Sequence, residues 1–237
     1  MTYPQTNAVA VYCGSSIGTE KAFNSAALSL GHAIAEAQRP LIYGGGSKGI
    51  MGVVSGAALE RGGTVTGIVP YAMVAAGGEA EKGESAVTVE LNETGREKIE
   101  HIVVDSMHER KVEMAKRVAG FFGLPGGFGT FEEILEVTTW TQLGIHNKPV
   151  VLLNVLSFFE PLRQLINNGV EYGFIGPLSK NLIVFVDGPE SHTEHGSFNW
   201  GEAALRALEG WRRNGEDGLF DWTARMEGKH TEALDST

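Results

Sequence analysis

The strongest constraint on this chain is a rhythm in which short apolar, β-rich runs alternate with stretches long enough for helices. The runs are Ala8 to Tyr12, Leu41 to Tyr43, Thr64 to Val69, Ile102 to Val104, Phe121 to Leu124, Val150 to Leu153 and Leu182 to Val186. Between and after them lie Glu20 to Gln38, Ile50 to Arg61, Ser106 to Arg117, Thr130 to Leu143, Phe158 to Asn168 and Asn199 to Trp211. A strand that is apolar along its whole length is buried on both faces. The pattern therefore predicts an α/β fold, with a mostly parallel sheet and helices on both sides. One such domain over 1–211 accounts for the alternation. The remainder, 212–237, opens with Asn214-Gly215-Glu216-Asp217-Gly218 and reads as a weakly structured tail. Tyr71 to Glu100 breaks the rhythm and reads as a solvated excursion with a short strand at Val87 to Leu91.

Open parallel sheets bind ligands beyond the carboxyl ends of their strands. Three glycine-rich loops fall there: Cys13-Gly14-Ser15-Ser16, Tyr43-Gly44-Gly45-Gly46-Ser47-Lys48-Gly49 and Pro125-Gly126-Gly127-Phe128-Gly129-Thr130. They are expected to meet at one site. Gly44 to Gly49 fits G-x-G-x-x-G, but a dinucleotide site needs an acid at the end of the following strand, and Thr64 to Pro70 ends without one. Nor is it a nucleoside-triphosphate loop, because Lys48 precedes Gly49. A tight turn and a phosphate or ribose contact both remain open for it.

Gly14-Ser15-Ser16-Ile17-Gly18 fits G-x-S-x-G, with Asp187, His192 and His195 later in the chain. That nucleophile elbow follows several strands in acyl hydrolases, whereas only 15 residues precede Ser16. Cys13 is the sole cysteine, which excludes an internal disulfide and a Cys-rich zinc site, and it reads as a small buried hydrophobe.

The net charge of −10, from 29 acidic and 19 basic residues without a Lys/Arg block, argues against a nucleic-acid ligand. A small phosphorylated ligand is still allowed, since backbone N–H groups can bind it. No run approaches the roughly 18 apolar residues of a membrane span, and Met1 to Thr6 does not resemble a leader, so a cytoplasmic protein with no membrane partner is expected.

The Pro125 segment joins three glycines to a helix start, a combination that turns N–H groups and a positive dipole end toward one point. Thr130-Phe131-Glu132-Glu133 also fits a capping box, with Thr130 as N-cap and Glu133 reaching back to it. Glu133 is thus either a cap or a carboxylate within reach of a ribose. The next helix upstream has Asp105 as its expected N-cap. Met107, Arg110, Lys111 and Met114 share one of its faces, which either turns two cations inward or leaves them in water beside Glu109 and Glu113.

Several of these motifs, read in order, resemble a known family. Tyr43-Gly44-Gly45-Gly46 with Gly49 and Met51-Gly52, Met107-His108-Glu109-Arg110-Lys111, Pro125 to Thr130 with Glu133, and Trp140 to Pro149 are similar to the LONELY GUY family. These are cytokinin riboside 5′-monophosphate phosphoribohydrolases, often mislabelled lysine decarboxylases, and the resemblance runs over about residues 8 to 210. It implies a Rossmann-like fold, a homodimer with sites near the interface, and hydrolysis of an N6-substituted AMP to free base and ribose 5-phosphate. It also implies that no cofactor or metal is used. Arg110 and Glu133 fall on its catalytic positions. Ser15, Gly45, Gly46, Met107, Lys111, Gly126, Gly127, Phe128, Gly129, Thr130 and Glu132 fall on its substrate-binding positions.

A carboxylate such as Glu133 could stabilise the charge that develops on the sugar or activate the attacking water. Arg110 keeps its proton, so its part would be electrostatic. No residue is assigned to protonate the departing base.

Overall fold

The computed structural model describes residues 6–74, 89, 94–213, 220, 222 and 234. Seven strands form one parallel sheet: β1 (Val9–Tyr12), β2 (Leu41–Tyr43), β3 (Val65–Pro70), β4 (Glu100–Val104), β5 (Gly120–Gly123), β6 (Val150–Leu153) and β7 (Ile183–Val186). Six helices connect or follow them: α1 (Lys21–Glu36), α2 (Gly49–Glu60), α3 (Met107–Lys116), α4 (Phe128–Leu143), α5 (Glu160–Glu171) and α6 (Trp200–Gly210). The expected Rossmann-like α/β architecture is what the chain adopts, and the seven strands and six helices of the alternation are present within a few residues of their expected bounds.

Alternation along each strand decides which helices cover which face. Val9 and Val11 of β1, Leu41 and Tyr43 of β2, and Phe122 of β5 turn toward α1, α2 and α6, where Leu30, Val54 and Trp200 close the layer. Ala8, Ala10, Tyr12, Ile42 and Phe121 turn the other way, against Met114 of α3 and Ile134, Val137 and Trp140 of α4. The central strands are buried throughout, as their unbroken apolar sequences require.

Strand order is β4-β3-β2-β1-β5-β6-β7, so the direction of winding reverses between β1 and β5. The loops leaving those two neighbours diverge to opposite faces and open a crevice, the usual place for a ligand in such sheets.

Two helix starts differ from expectation. Ser106, not Asp105, caps α3: its hydroxyl accepts from the Glu109 N–H at 3.0 Å, and Glu109 accepts in return from the Asp105 N–H at 2.8 Å. A serine three residues before a glutamate allows this reciprocal pair, and the longer reach of Glu109 takes it one residue further back. At α4 the N-cap is Gly127, and the helix begins at Phe128. Glycine, with no side chain to place, lets the chain enter the helix two residues before Thr130. Thr130 therefore lies inside the first turn and Glu133 is no capping partner.

Of the strand expected at Val87 to Leu91, only Val89 falls within the described residues; it pairs with Val74 in a parallel bridge. The tail reading for 212–237 likewise lies outside the described residues apart from 212–213, 220, 222 and 234. Among these, the Trp222 indole N–H donates to the Leu143 carbonyl at 3.0 Å, and Leu234 is buried in the second core layer. Among the described residues no helix is long and apolar enough to cross a membrane.

Candidate active site

The three glycine-rich loops do meet at the crevice. The Gly14 N–H donates to the Pro125 carbonyl at 3.1 Å, and the Met51 N–H of α2 donates to the Gly14 carbonyl at 3.2 Å. Gly126 permits the first of these approaches: a Cβ there would stand 2.1 Å from Thr130 Oγ1 and 2.8 Å from the Gly14 nitrogen. The loops enclose a cavity of about 300 Å³.

Two helices point their starts toward this region, and they differ in how their N–H groups are used. At α2, Ile50 and Met51 donate to the carbonyls of Ser16 and Gly14. The glycine-rich turn before α2 thus serves packing of one loop on another. At α4, no acceptor among the described residues takes the N–H groups of Phe128, Gly129 or Thr130; the first backbone bond is Phe131 N–H to the Gly127 carbonyl. Those three residues line the cavity. Three unspent donors at the positive end of a 16-residue helix make an anion site.

Beside it lies a buried ion pair. Arg110 is 7% exposed and Glu133 is 7% exposed, and an Arg110 Nη2 proton reaches Glu133 Oε1 at 3.0 Å. The inward reading of the α3 face holds for Arg110. The contact uses one guanidinium nitrogen and one carboxylate oxygen; the second terminal nitrogen donates weakly to Met107 Sδ at 3.8 Å, and Nε has no partner among the described residues. Burial pushes the Glu133 carboxyl up to about 7. Arg110 and Lys111 pull it down while Glu132 and Glu136 push it up, and desolvation outweighs them all.

Lys111 lies on the other side of the pair without lining the cavity. Its ammonium sits 2.5 Å from Glu132 Oε1 and 2.9 Å from Glu136 Oε2. Partial burial would lower it, but those two carboxylates hold it above the usual lysine range. This position fixes Glu132 and Glu136 as neighbours of Glu133 with their charge offset.

The remaining expected residues divide. Ser15, Met107, Gly127, Phe128, Gly129, Thr130 and Glu132 line the cavity with Arg110 and Glu133. Gly45 and Gly46 are buried behind it and do not, and Gly126 lines a smaller neighbouring pocket on the Ile17 and Phe158 side. Residues not named as substrate contacts from the sequence also contribute: Tyr12 at the end of β1 and Met73, and from the quoted motifs Gly44 after β2 and Met51. Gly44 has a position legible only in three dimensions. A Cβ on it would lie 2.3 Å from Arg110 Nη2, so the bare backbone seats the guanidinium.

The competing readings lose their geometry. Asp187 is bonded to Arg163 and Asn154, His192 to Ser157, and His195 to the Leu156 N–H and the Pro189 carbonyl, so they form no relay to Ser16. Cys13 is buried, and burial raises its thiol far above the range in which it ionises.

The chain matches a family model described as "Possible lysine decarboxylase" over residues 51–195. Among the described residues no lysine lines the cavity, so a pyridoxal phosphate there would lack its Schiff-base partner and the described lining does not fit that cofactor. A probable cytokinin riboside 5′-monophosphate phosphoribohydrolase of Oryza sativa subsp. japonica is 45% identical over 179 residues, covering 76% of this chain and 71% of that protein. A cytokinin riboside 5′-monophosphate phosphoribohydrolase of Arabidopsis thaliana is 43% identical over 176 residues, covering 74% and 76%. Among solved structures, the molybdenum cofactor carrier protein of Chlamydomonas reinhardtii superposes with a TM-score of 0.51 at 18% identity, covering 86% of this chain and 99% of that one. That likeness concerns the fold alone. The family model over more than half of the chain, with relatives 43–45% identical over about three quarters of it, identifies the chain as a member of the LONELY GUY family, the family of the cytokinin riboside 5′-monophosphate phosphoribohydrolases.

Proposed function

We propose that this protein hydrolyses the N-glycosidic bond of an N6-substituted AMP, a cytokinin riboside 5′-monophosphate, to free base and ribose 5-phosphate. The observation that carries the reading is the buried Arg110–Glu133 pair, 3.0 Å apart, set beside the open start of α4 in one cavity. The 5′-phosphate binds the three free N–H groups of Phe128, Gly129 and Thr130, where the helix dipole favours it. Glu133 follows Thr130 by three residues, about 4.5 Å further along the helix, which sets its carboxylate against the ribose instead of the phosphate.

Cleaving the bond develops positive charge on the sugar and negative charge on the base. A carboxyl near 7 is substantially ionised at neutral pH and still basic enough to take a proton from water, which suits Glu133 to the role of general base. Arg110 stays charged, holds the Glu133 carboxylate in place, and offers its remaining donors to ribose or phosphate oxygens. Ser15, Met107, Gly127 and Glu132 complete the nucleotide's surroundings, Lys111 steadies Glu132, and Gly45, Gly46 and Gly126 shape the loops behind.

The reading includes a cytoplasmic homodimer. Phe128, Phe131 and Leu135 follow i, i+3, i+7 on α4 at 92%, 36% and 42% exposure beside the cavity mouth, an apolar stripe that a second copy would cover. The test is incubation with N6-isopentenyl AMP, AMP and the two matching nucleosides, with free base and ribose 5-phosphate measured. Monophosphates are expected to be cleaved and nucleosides spared. Equal rates on both would sink the phosphate site, and nucleotide recovered intact would sink the activity.

A further inference from the structure

We propose that the edge of the sheet at β7 carries a binding site, separate from the catalytic crevice, for a small organic anion: one carboxylate, sulfonate or phosphate group on a flat apolar body.

β7 ends the strand order, so among the described residues one of its sides has no neighbouring strand. Residues of β7, of α5, of the turn before β7 and of the segment after α6 enclose a cavity there of about 470 Å³, against about 300 Å³ at the catalytic crevice. That volume falls in the range of small-molecule sites, about 300–1,000 Å³. The two cavities share no lining residue. β7 also lies two strands beyond β5, about 10 Å away at a spacing of about 4.8 Å per strand, so a ligand here does not occupy the nucleotide's place.

The apolar part of the lining comes from Ile166 of α5, Val184 and Phe185 of β7, and Trp211. The Trp211 indole N–H donates to the Asn181 carbonyl at 3.1 Å. Its single polar atom is thereby used, and what the ring adds to the cavity is apolar surface.

The charged part is unbalanced. Arg163, Lys180 and Arg212 line the cavity against one acid, Asp187. Asp187 is taken by Arg163, whose Nη2 donates to its two oxygens at 2.6 and 2.8 Å, and Arg163 Nη1 meets Glu160 at 2.9 Å. Arg163 is further fixed over the Phe185 ring, 4.5 Å from its centre, and is a neutralised wall. Lys180 and Arg212 meet no carboxylate among the described residues. Arg212 Nη1 donates to the Glu209 and Trp211 carbonyls, both at 2.7 Å, which ties the guanidinium to the backbone beside the cavity and leaves its other donors for a ligand.

Two cations without acids stand out in a chain of net charge −10, where 29 acidic residues outnumber 19 basic ones. They give this cavity the opposite sign to the molecule as a whole and draw anions to it. A bare anion would make no use of the apolar lining, and a neutral ring would leave both cations unmatched. A molecule with both parts uses the whole surface: its charge meets Lys180 and Arg212, and its body lies against Trp211, Ile166 and Val184.

The probe is 2-naphthoate, titrated calorimetrically into the full chain at low ionic strength. One saturating event per chain is expected, with a dissociation constant of about 1 mM or below, as ordinary ligand efficiency gives for a molecule of this size. The uncharged 2-naphthalenemethanol should bind at least about tenfold more weakly. Lys180→Gln combined with Arg212→Gln should weaken 2-naphthoate by about tenfold at an unchanged melting temperature, since both side chains are exposed. The single change Lys180→Gln should show the same effect at about threefold, which keeps the test decisive if the double variant folds poorly. Absence of saturation at about 20 mM, well above that constant, overturns the site. Equal binding of acid and alcohol overturns the role of the cations, and variants that bind like the parent place the anion elsewhere, which overturns the proposal as well.

Discussion

The two ends of α4 each bury an ionisable or polar cluster, yet they are built for opposite behaviour. At its start, Glu133 meets Arg110 across one hydrogen bond, opens onto a cavity of about 300 Å³ and has a carboxyl pushed up to about 7. At its end, Thr141 bonds the Val137 and Lys148 carbonyls and contacts His146 Nδ1 at 3.3 Å, and the His146 ring packs against Phe121 and Trp140. Burial, then the charges of Lys148 and Arg213, push His146 down to about 3. One end can exchange a proton at neutral pH. The other is locked in its neutral form. Burial acts in both places by disfavouring the charged species, so the difference lies in access: a group facing a cavity can pass its proton to a ligand, and an enclosed one only holds the fold together.

The largest expected effect breaks the open end. Glu133→Gln keeps the shape and removes the base, and base release should fall by about 10²- to 10⁴-fold, measured as ribose 5-phosphate formed from N6-isopentenyl AMP. A rate close to the parent's would remove Glu133 from the mechanism.

A gentler change sharpens the contrast. Gly44 has no positive φ, so alanine fits the backbone there, and the atoms nearest the added methyl are Arg110 Nη2 at 2.3 Å and, more loosely, Arg110 Cζ and Met51 Sδ. Gly44→Ala should displace the guanidinium and lower kcat/KM by about tenfold, the equivalent of one weakened charged hydrogen bond. Since Arg110 lowers the Glu133 pKa, displacing it raises that pKa. The parent's rate should climb with pH through about 7 as Glu133 ionises, and the variant's climb should come at higher pH. An unshifted pH profile of kcat/KM would mean that Arg110 had not moved.

The smallest effect on activity is expected at the closed end. His146→Phe should leave base release within about twofold of the parent, because His146 does not itself line the cavity and phenylalanine keeps a ring against Phe121. Its signature is in stability. His146 is depressed from 6.5 to about 3, so its contribution is complete above 6.5 and is lost as pH falls from there toward 3, by about 1.4 kcal/mol per unit. Denaturant unfolding of the variant across that window should show a flatter pH dependence; identical slopes would show that His146 is not held neutral.

Much of this was legible in the residues before any contact was known. Apolar runs and glycine positions are local properties, and they sufficed to anticipate seven strands, six helices and three loops meeting at one place. The ambiguity at Thr130 to Glu133 was of another kind. Whether a carboxylate caps its own helix or pairs with another depends on where the helix starts, and Gly127 moved that start two residues upstream. Asp105 was mistaken for a cap because Ser106 beside it is an equally good one, and only the bond to the Glu109 N–H separates them.

Pattern and composition alone determined that this chain forms a single parallel sheet covered by helices on both faces, with a glycine-rich helix start after β5, because those follow from periodicity and from which residues tolerate which backbone. Tertiary structure decided which polar groups are left without partners among the described residues, the N–H groups of α4 but not of α2 and the Tyr12 hydroxyl, and it decided that the Arg110 guanidinium is seated on Gly44 against Glu133. Each of these depends on contacts between segments distant in sequence, and a partner's absence can be read only when every neighbour is in place.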